Sequence, residues 1–215
     1  RLSGVLLVLL AAVGFSAKAI FVKLAYRYGV DSISLLALRM LFSLPFFLLM
    51  AWCAGRNQST LRLTHGDWKI VVAMGIAGYY LSSLLDFLGL QFISAGLERL
   101  ILFLYPTFVL VVSAIFFKQI ITRRDILALL ISYAGVVFVF FHDVQMGQKN
   151  VLLGSLLVLA SALTYAIYFI GSGRIVGKIG SLRYSAYATI VSCVAVLIHF
   201  GLTRDPGSLQ QPSQV

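Results

Sequence analysis

Long apolar runs alternate with short polar segments along the whole chain. Seven runs are about 20 residues long, the length an α-helix needs to cross the hydrocarbon core of a membrane. They cover residues 4–25, 32–53, 68–88, 97–117, 125–141, 151–173 and 181–202. These runs are too long for barrel strands and do not alternate strictly. Stretches such as 101–117 also lack the polar face of a soluble helix. The pattern predicts an all-α, polytopic membrane helix bundle with seven transmembrane helices.

The segments between the runs predict how the helices are connected and oriented. They are short, so we expect consecutive helices to be antiparallel neighbours. With the N-terminus inside, ten Lys and Arg residues fall on the cytoplasmic side and five on the outer side. Positive charge accumulates on the cytoplasmic side of membrane proteins, which favours a cytoplasmic N-terminus. Since residue 1 is Arg, we expect a piece of a longer protein, with residues 203–215 as a flexible tail or loop.

Composition narrows the class of protein further. The chain is 60% hydrophobic and only 11% charged, with a mean hydropathy of +0.99, whereas a soluble domain is about 25% charged. The net charge is +10, but the basic residues are scattered, so no nucleic-acid partner is expected. Cys53 and Cys193 lie inside apolar runs and the three His are dispersed. No metal site and no cofactor are therefore predicted.

The beginning of the chain is similar to a later segment. The stretch that starts at Gly4 resembles the stretch that starts at Gly154, an offset of 150 residues. Apolar low complexity can produce such matches by chance. If the repeat is genuine, its unit is five helices, and an odd number inverts the second unit in the membrane. Residues 1–145 would then be the first unit and 150–202 a partial second unit with two helices.

An ordered series of short motifs resembles the bacterial EamA-type transporters of the drug/metabolite transporter superfamily. The motifs are Phe15-Ser-Ala-Lys-Ala-Ile-Phe-Val-Lys23, Leu35-Leu-Ala-Leu-Arg39, Leu85-Asp-Phe-Leu-Gly-Leu-Gln91, Ser94-Ala-Gly-Leu-Glu-Arg-Leu100, Leu104-Tyr-Pro-Thr107, Phe117-Lys-Gln-Ile-Ile-Thr-Arg-Arg124 and Tyr133-Ala-Gly-Val136.

The resemblance implies two EamA repeats, ten helices of which seven are present, and cytoplasmic termini in a bacterial inner membrane. Lys118-Gln119 stands where the family usually has Gly-Glu, and we expect this departure to change local structure or gating rather than substrate choice.

Charged residues inside the predicted spans are the main candidates for a functional site. Helix rise places Lys18, Arg39, Asp86, Glu98 and Arg99 in the outer half of the membrane. Buried charges of this kind usually face the bundle interior and mark a substrate path. We expect the two cations Lys18 and Arg39 to attract an anionic or zwitterionic group, while the carboxylates balance them or exchange protons. Alternatively, Lys18 extends to the outer interface and the others form interhelical pairs.

Tyrosines and a proline complete the predicted site. Tyr168 occupies the repeat position of Lys18, and Tyr165 lies one turn earlier on the same face, so an aromatic wall could oppose the charged one. Tyr79 is a further candidate for the translocation path, although all three Tyr could simply form a packing stripe. Pro106 should kink the fourth helix and could act as a hinge.

A row of small residues in the third helix predicts close packing against a neighbouring helix. Gly75, Gly78 and Ser82 recur there at helical spacing, which favours close contact between helices over a binding site.

Together these features predict a secondary transporter that moves a small metabolite (amino-acid-like, anionic or drug-like) across the cytoplasmic membrane by alternating access. Its expected partners are the substrate, the lipid bilayer and, as candidates, protons and a second copy of the chain. An integral membrane enzyme is the first alternative. However, only His142 has a neighbouring carboxylate, Asp143, and no nucleophile is identifiable, so we expect no enzymatic activity. A non-transporting membrane partner or sensor is the second alternative.

Overall fold

The computed structural model describes residues 2–56, 63–118, 122–145 and 150–203. Within these ranges every regular element is a helix. In chain order the elements are α1 (Leu2–Arg27), α2 (Ser32–Gly55), α3 (His65–Gly75), a π-helical turn (Ile76–Leu81), α4 (Ser82–Leu90), α5 (Ala95–Leu102), α6 (Tyr105–Phe117), α7 (Arg123–Gln145), α8 (Val151–Ile179) and α9 (Ser181–Thr203).

Seven helical segments are long and apolar enough to cross a membrane. They are Leu9–Arg27, Ser32–Gly55, His65–Leu90, Ala95–Ile115, Arg123–Gln145, Val151–Ile179 and Ser181–Thr203. This confirms the predicted polytopic helical bundle. We call the side on which α1 begins the N-terminal side and the side on which it ends the far side. The predicted tail lies almost wholly beyond residue 203 and thus outside the described residues.

Polar side chains at the helix starts explain several boundaries. The Asp31 carboxylate accepts hydrogen bonds from the backbone N–H groups of Ile33 and Ser34 at the start of α2. Ser94 does the same for Leu97 in α5. The first N–H groups of a helix have no intrahelical partner, so such caps define where a helix begins.

Two of the spans are interrupted near their middle. The π-helical turn Ile76–Leu81 separates α3 from α4. In the fourth span, α5 ends at Leu102 and α6 begins at Tyr105. Pro106 lies in the first turn of α6 and has no backbone N–H to donate to the carbonyl one turn earlier, which favours a break at this point. The predicted irregularity near Pro106 is present, whereas the π-helical turn was not predicted.

Consecutive spans contact one another, but the packing between them is not the most extensive in the bundle. The most extensive packing joins α2 to α9, the second and last helices, while α1 touches α2 only lightly. The long helix α8 lies at the centre and contacts the third and fourth spans. The short loops do reverse the chain, but lateral packing follows the small and polar faces of the helices rather than chain order.

The predicted small-residue face of the third span is confirmed as a packing surface. A Cβ atom added to Gly75 would lie 2.7 Å from the carbonyl oxygen of Ala188 in α9. One added to Gly78 would lie 2.2 Å from Cγ of Tyr168 in α8. The Ser82 and Ser161 hydroxyls are 3.0 Å apart and each also donates to the other residue's carbonyl. Close approach of the backbones thus fixes the third span against α8 and α9.

Candidate functional site

A cavity of about 480 Å³ lies among the helices and is called here the central cavity. Its volume falls within the range of about 300–1,000 Å³ typical of small-molecule sites. Five of the seven spans contribute to its wall. The lining residues are Phe15, Lys18, Arg39, Gly78, Tyr79, Ser82, Ser83, Asp86, Arg99, Leu102, Phe103, Tyr105, Ser161, Ala162 and Tyr165.

Five ionisable residues from four spans meet at this cavity and form what we call the charged cluster: Lys18, Arg39, Asp86, Glu98 and Arg99. The Lys18 ammonium donates a hydrogen bond to the Asp86 carboxylate and lies 3.4 Å from Glu98 Oε1. Nε of Arg99 lies 3.1 Å from Glu98 Oε2. Lys18 therefore bonds to a carboxylate inside the bundle instead of extending to the membrane interface.

Two phenylalanine rings lie between the three cations of the charged cluster. Cζ of Arg39 lies 5.7 Å and Nζ of Lys18 lies 5.6 Å from the centroid of the Phe87 ring. Nζ of Lys18 lies 5.5 Å and Cζ of Arg99 lies 4.4 Å from the centroid of the Phe15 ring. Contact with ring faces stabilises cations, more so when they are removed from water. The rings thus hold three like charges close together without direct contact.

Several polar atoms of the charged cluster lack a hydrogen-bond partner within the described part of the chain. They include Oδ1 of Asp86 and both carboxylate oxygens of Glu98. The Glu98 side chain is 0% exposed and that of Asp86 is 3% exposed. Buried hydrogen-bond acceptors in native proteins normally have a donor, so each acceptor without one needs an explanation.

Arg39 differs from the other two cations. Among the described residues no carboxylate oxygen lies within 4.0 Å of its guanidinium. The residue is exposed and lines the central cavity. Its charge is therefore available to a molecule that enters the cavity.

Tyrosines form a second, aromatic wall. Tyr165 packs edge-to-face on Tyr105 with ring centroids 5.4 Å apart and is tilted against Tyr168 at 5.5 Å. The Tyr168 hydroxyl donates a hydrogen bond to Tyr79 Oη at 3.0 Å, and its ring stacks on Tyr184. The wall thus continues from the cavity into the apolar core between α3, α8 and α9.

The structure brings most of the predicted site residues to one place. Lys18, Arg39, Asp86, Tyr79 and Tyr165 all line the central cavity. Glu98 lies behind Lys18, Tyr168 lies behind Tyr79, and Pro106 is an exposed neighbour of the lining residue Tyr105.

Sequence reasoning missed two phenylalanines beside the cations: Phe15, which lines the cavity, and Phe87, whose ring lies near Lys18 and Arg39. It also missed Ser161 in the cavity wall. Nothing in an apolar run distinguishes a phenylalanine beside a cation from one that faces lipid. The only available signal was position, because Phe15 lies three residues before Lys18 and Phe87 directly follows Asp86.

A second ion pair lies near the N-terminal side of the bundle. The Lys178 ammonium of α8 donates a hydrogen bond to Asp67 Oδ2 of α3. The same oxygen accepts hydrogen bonds from the backbone N–H and the hydroxyl of Thr64, both at 2.8 Å. We call this arrangement the capped ion pair. It joins two helices that the chain separates by more than a hundred residues.

The one predicted histidine–carboxylate neighbour pair has an evident structural role. His142 Nδ1 lies 3.9 Å from Asp143 Oδ1, and the His side chain is 63% exposed. Asp143 is buried, and its Oδ2 accepts a hydrogen bond from the backbone N–H of Ser94 at 2.9 Å. The carboxylate therefore fastens α7 to the start of α5.

Within the described ranges, no three His, Cys, Asp or Glu residues converge in a way that could hold a metal ion. A wider and more open recess of about 630 Å³ lies at the far side, beside Lys23, Arg27 and Gln91. It holds no buried charge, so the central cavity is the stronger candidate.

Comparison with known proteins identifies the family to which the chain is similar. The sequence profile of the EamA-like transporter family matches residues 2–141. The chain is 31% identical over 207 residues to a Bacillus subtilis protein named "Uncharacterized transporter YcbK", covering 95% of the chain and 65% of that protein. It is 28% identical over 133 residues to an "Uncharacterized transporter" of Archaeoglobus fulgidus, covering 62% of the chain and 46% of that protein.

A third relative, "Uncharacterized transporter YyaM" of Bacillus subtilis, is 22% identical over 187 residues, covering 86% of the chain and 57% of that protein. The chain thus spans between about half and two thirds of the length of these relatives. No solved structure matches it.

Proposed function

The chain belongs to the EamA-like transporter family, and on this premise we propose that it forms part of a secondary transporter that binds a small metabolite in the central cavity. The protein is a multi-pass membrane protein. We further propose that it lies in a bacterial inner membrane with its N-terminus in the cytoplasm. In the complete protein two inverted five-helix repeats would supply ten helices, and the substrate would lie near their interface.

The observation that carries this proposal is the set of charges around the central cavity. Lys18, Arg39 and Asp86 come from three different apolar spans and all line one cavity. A charge inside a membrane span is costly, so such residues are rare and usually mark a substrate or ion path. A bundle that only needed to fold would gain stability from apolar residues at these positions.

The polar and charged groups of the cavity that lack a partner within the described residues indicate the class of substrate. Arg39 is a cation without a carboxylate partner in the described structure, which favours an anionic group such as a carboxylate. Asp86 Oδ1 is an acceptor without a donor, which favours a ligand that also carries an ammonium or hydroxyl group. Tyr79, Tyr105 and Tyr165 offer flat surfaces to the remainder of the molecule. An anionic or amino-acid-like metabolite fits this set better than a cationic drug.

Alternating access requires that the helices around the cavity can change their arrangement. The π-helical turn beside Tyr79 and the break before Pro106 are two points where the third and fourth spans depart from regular helix. Irregular turns of this kind often accompany functional sites in helices. We propose that Pro106 marks the hinge in the fourth span and that the tyrosines between α3 and α8 close the path towards the N-terminal side.

A counterflow assay tests the proposal. The full-length protein is reconstituted into liposomes loaded with a defined mixture of amino acids and monocarboxylates, and exchange with an external radiolabelled mixture of the same compounds is measured. We expect Lys18→Ala and Asp86→Asn to abolish exchange while the protein still inserts into the membrane. Asp125→Asn is the control, because this carboxylate caps α7 outside the cavity. Normal exchange in both cavity variants would overturn the site. No exchange by the unaltered protein would count against transport of these compounds.

A further inference from the structure

Glu98 is the one carboxylate of the charged cluster that does not line the central cavity. Its side chain is fully buried, and neither oxygen accepts a hydrogen bond from the described residues. Its oxygens lie 3.4 Å from Nζ of Lys18 and 3.1 Å from Nε of Arg99, and the Asp86 carboxyl group also faces it. Substrate binding alone gives no reason to bury a second carboxylate behind the first.

Lys18 is shared unequally between the two carboxylates. It donates a hydrogen bond to Asp86, whereas its contact with Glu98 is longer and is not a hydrogen bond. The Lys18 ammonium also lines the cavity. An anion bound there would compete with Glu98 for Lys18, while Asp86 would keep its hydrogen bond.

From this arrangement we infer that Glu98 takes up one proton when an anionic substrate draws Lys18 away from it, so that the anion and the proton cross the membrane together. The inference rests on the proposed function and adds the coupling species to it. The step is balanced in charge: the substrate brings one negative charge, Lys18 turns from the Glu98 carboxylate to that anion, and a proton from cavity water converts the carboxylate to a carboxylic acid. Release of the anion reverses each change.

The surroundings of Glu98 support a neutral form once Lys18 is withdrawn. A buried charge that loses its partner is expensive, and the group then changes its protonation state instead. α5 packs against α1, α4, α7 and α8. The ionisable groups that face Glu98 from these helices are Lys18 and Asp86, and α5 itself adds Arg99. α7 also carries Asp143 and α8 carries Tyr165. Asp143 is engaged by the Ser94 N–H, and Tyr165 packs against Tyr105. Arg39 is separated from the site by the Phe87 ring.

Infrared spectroscopy of the purified full-length protein tests the inference without any substrate. A protonated carboxyl group has a C=O stretching band that a carboxylate lacks. Lys18→Gln imitates the withdrawal of the ammonium. At neutral pH we expect this variant to gain the band, the double variant Lys18→Gln/Glu98→Gln to lose it, and Lys18→Gln/Asp86→Asn to retain it.

Two other results would overturn the assignment. One is the absence of a new band in Lys18→Gln, and the other is a band that survives Glu98→Gln but disappears with Asp86→Asn. If Lys18→Gln fails to fold, acid titration of the protein with its native Lys18 replaces it. The first band to appear on acidification should then be missing from Glu98→Gln and present in Asp125→Asn, whereas the bands that appear at lower pH come from the other carboxyl groups. If the first band appeared equally in both variants, the inference would also be refuted. Because no transport is measured, failed counterflow with an intact band would count against the proposed function alone.

Discussion

The charged cluster and the capped ion pair both join apolar helices through buried charges, but they differ in how fully their polar atoms are satisfied. In the capped ion pair, Asp67 accepts hydrogen bonds from Lys178 and twice from Thr64. In the charged cluster, Asp86 keeps one oxygen without a donor and Glu98 keeps two. The first arrangement is complete as it stands, whereas the second has room for further partners.

This difference separates a structural role from a binding role. A fully satisfied polar network holds its helices in one arrangement, and a partly satisfied one is costly unless something else completes it. We therefore expect the capped ion pair to contribute to stability and the charged cluster to contribute to ligand binding. The two regions can be tested separately, because they lie near opposite sides of the bundle.

Among the variants that compare the two regions, the largest expected effect is on exchange activity in Arg39→Gln. Arg39 has no carboxylate partner in the described structure, so its removal leaves no buried anion behind. A hydrogen bond to a charged group contributes about 1.5–3 kcal/mol, and its loss should lower exchange roughly 10- to 150-fold in the counterflow assay. The melting temperature should stay nearly unchanged. Lys178→Met is the matched control and should show the reverse, with exchange retained and a lower melting temperature. If both variants changed exchange and melting temperature in the same way, the two regions would not differ in their roles.

A large effect on stability is expected from Gly78→Ala in the wall between the two regions. The added Cβ would lie 2.2 Å from Tyr168 Cγ, an atom too close to the backbone to move freely. Overpacking of this kind costs about 1–3 kcal/mol, measurable by thermal unfolding in detergent. Gly173→Ala in α8 is the control, since nothing lies within 4 Å of its added Cβ. A destabilised Gly173→Ala with an unaffected Gly78→Ala would contradict the observed packing of α3 on α8.

A smaller effect is expected from Asp67→Asn in the capped ion pair. Asp67 and Asp125 both cap a helix through a threonine three residues earlier. Within the described ranges, Asp67 alone of the two also binds a lysine of another helix. Asp67→Asn should therefore lower the melting temperature by several degrees, and Asp125→Asn by less. When Lys178 is already Met, the effect of Asp67→Asn should fall to that of Asp125→Asn, because only the helix cap is then lost. Additive effects of Asp67→Asn and Lys178→Met would show that the two residues do not interact.

The smallest effect is expected outside both regions, from Lys118→Gly at the end of α6. Lys118 has φ of 54°, in the left-handed region that favours glycine. Relief of this conformation should stabilise the protein by about 1 kcal/mol, observed as a small rise in melting temperature. A fall in melting temperature would mean that contacts of the lysine outweigh its backbone conformation.

This position also gives a physical reason for the Gly-Glu pair that is usual in the family. A glycine adopts the left-handed conformation at the end of a helix without the steric cost that a lysine has. That this departure changes local structure or gating stays a prediction. Gln119, the second residue of the departure, lies outside the described residues.

The spans and the candidate charges could be predicted from the sequence because both depend on local properties. Membrane insertion of a helix depends on the summed hydropathy of about 20 neighbouring residues, and all seven spans appear close to where they were expected. Lys18, Arg39 and Asp86 stand out because charges are rare in such runs. The face formed by Gly75 and Gly78 is visible for a similar reason, since helical spacing alone shows that small residues align.

Only the tertiary structure decided which helices pack together and which polar atoms stay unsatisfied. The pairing of Asp67 with Lys178, the packing of α2 on α9 and the position of Phe87 between Lys18 and Arg39 depend on how each helix is rotated about its axis. That rotation results from many weak contacts between helices distant in the chain, each too small to appear in a local pattern. The sequence determined which residues the membrane must accommodate, and helix packing determined that they surround one cavity.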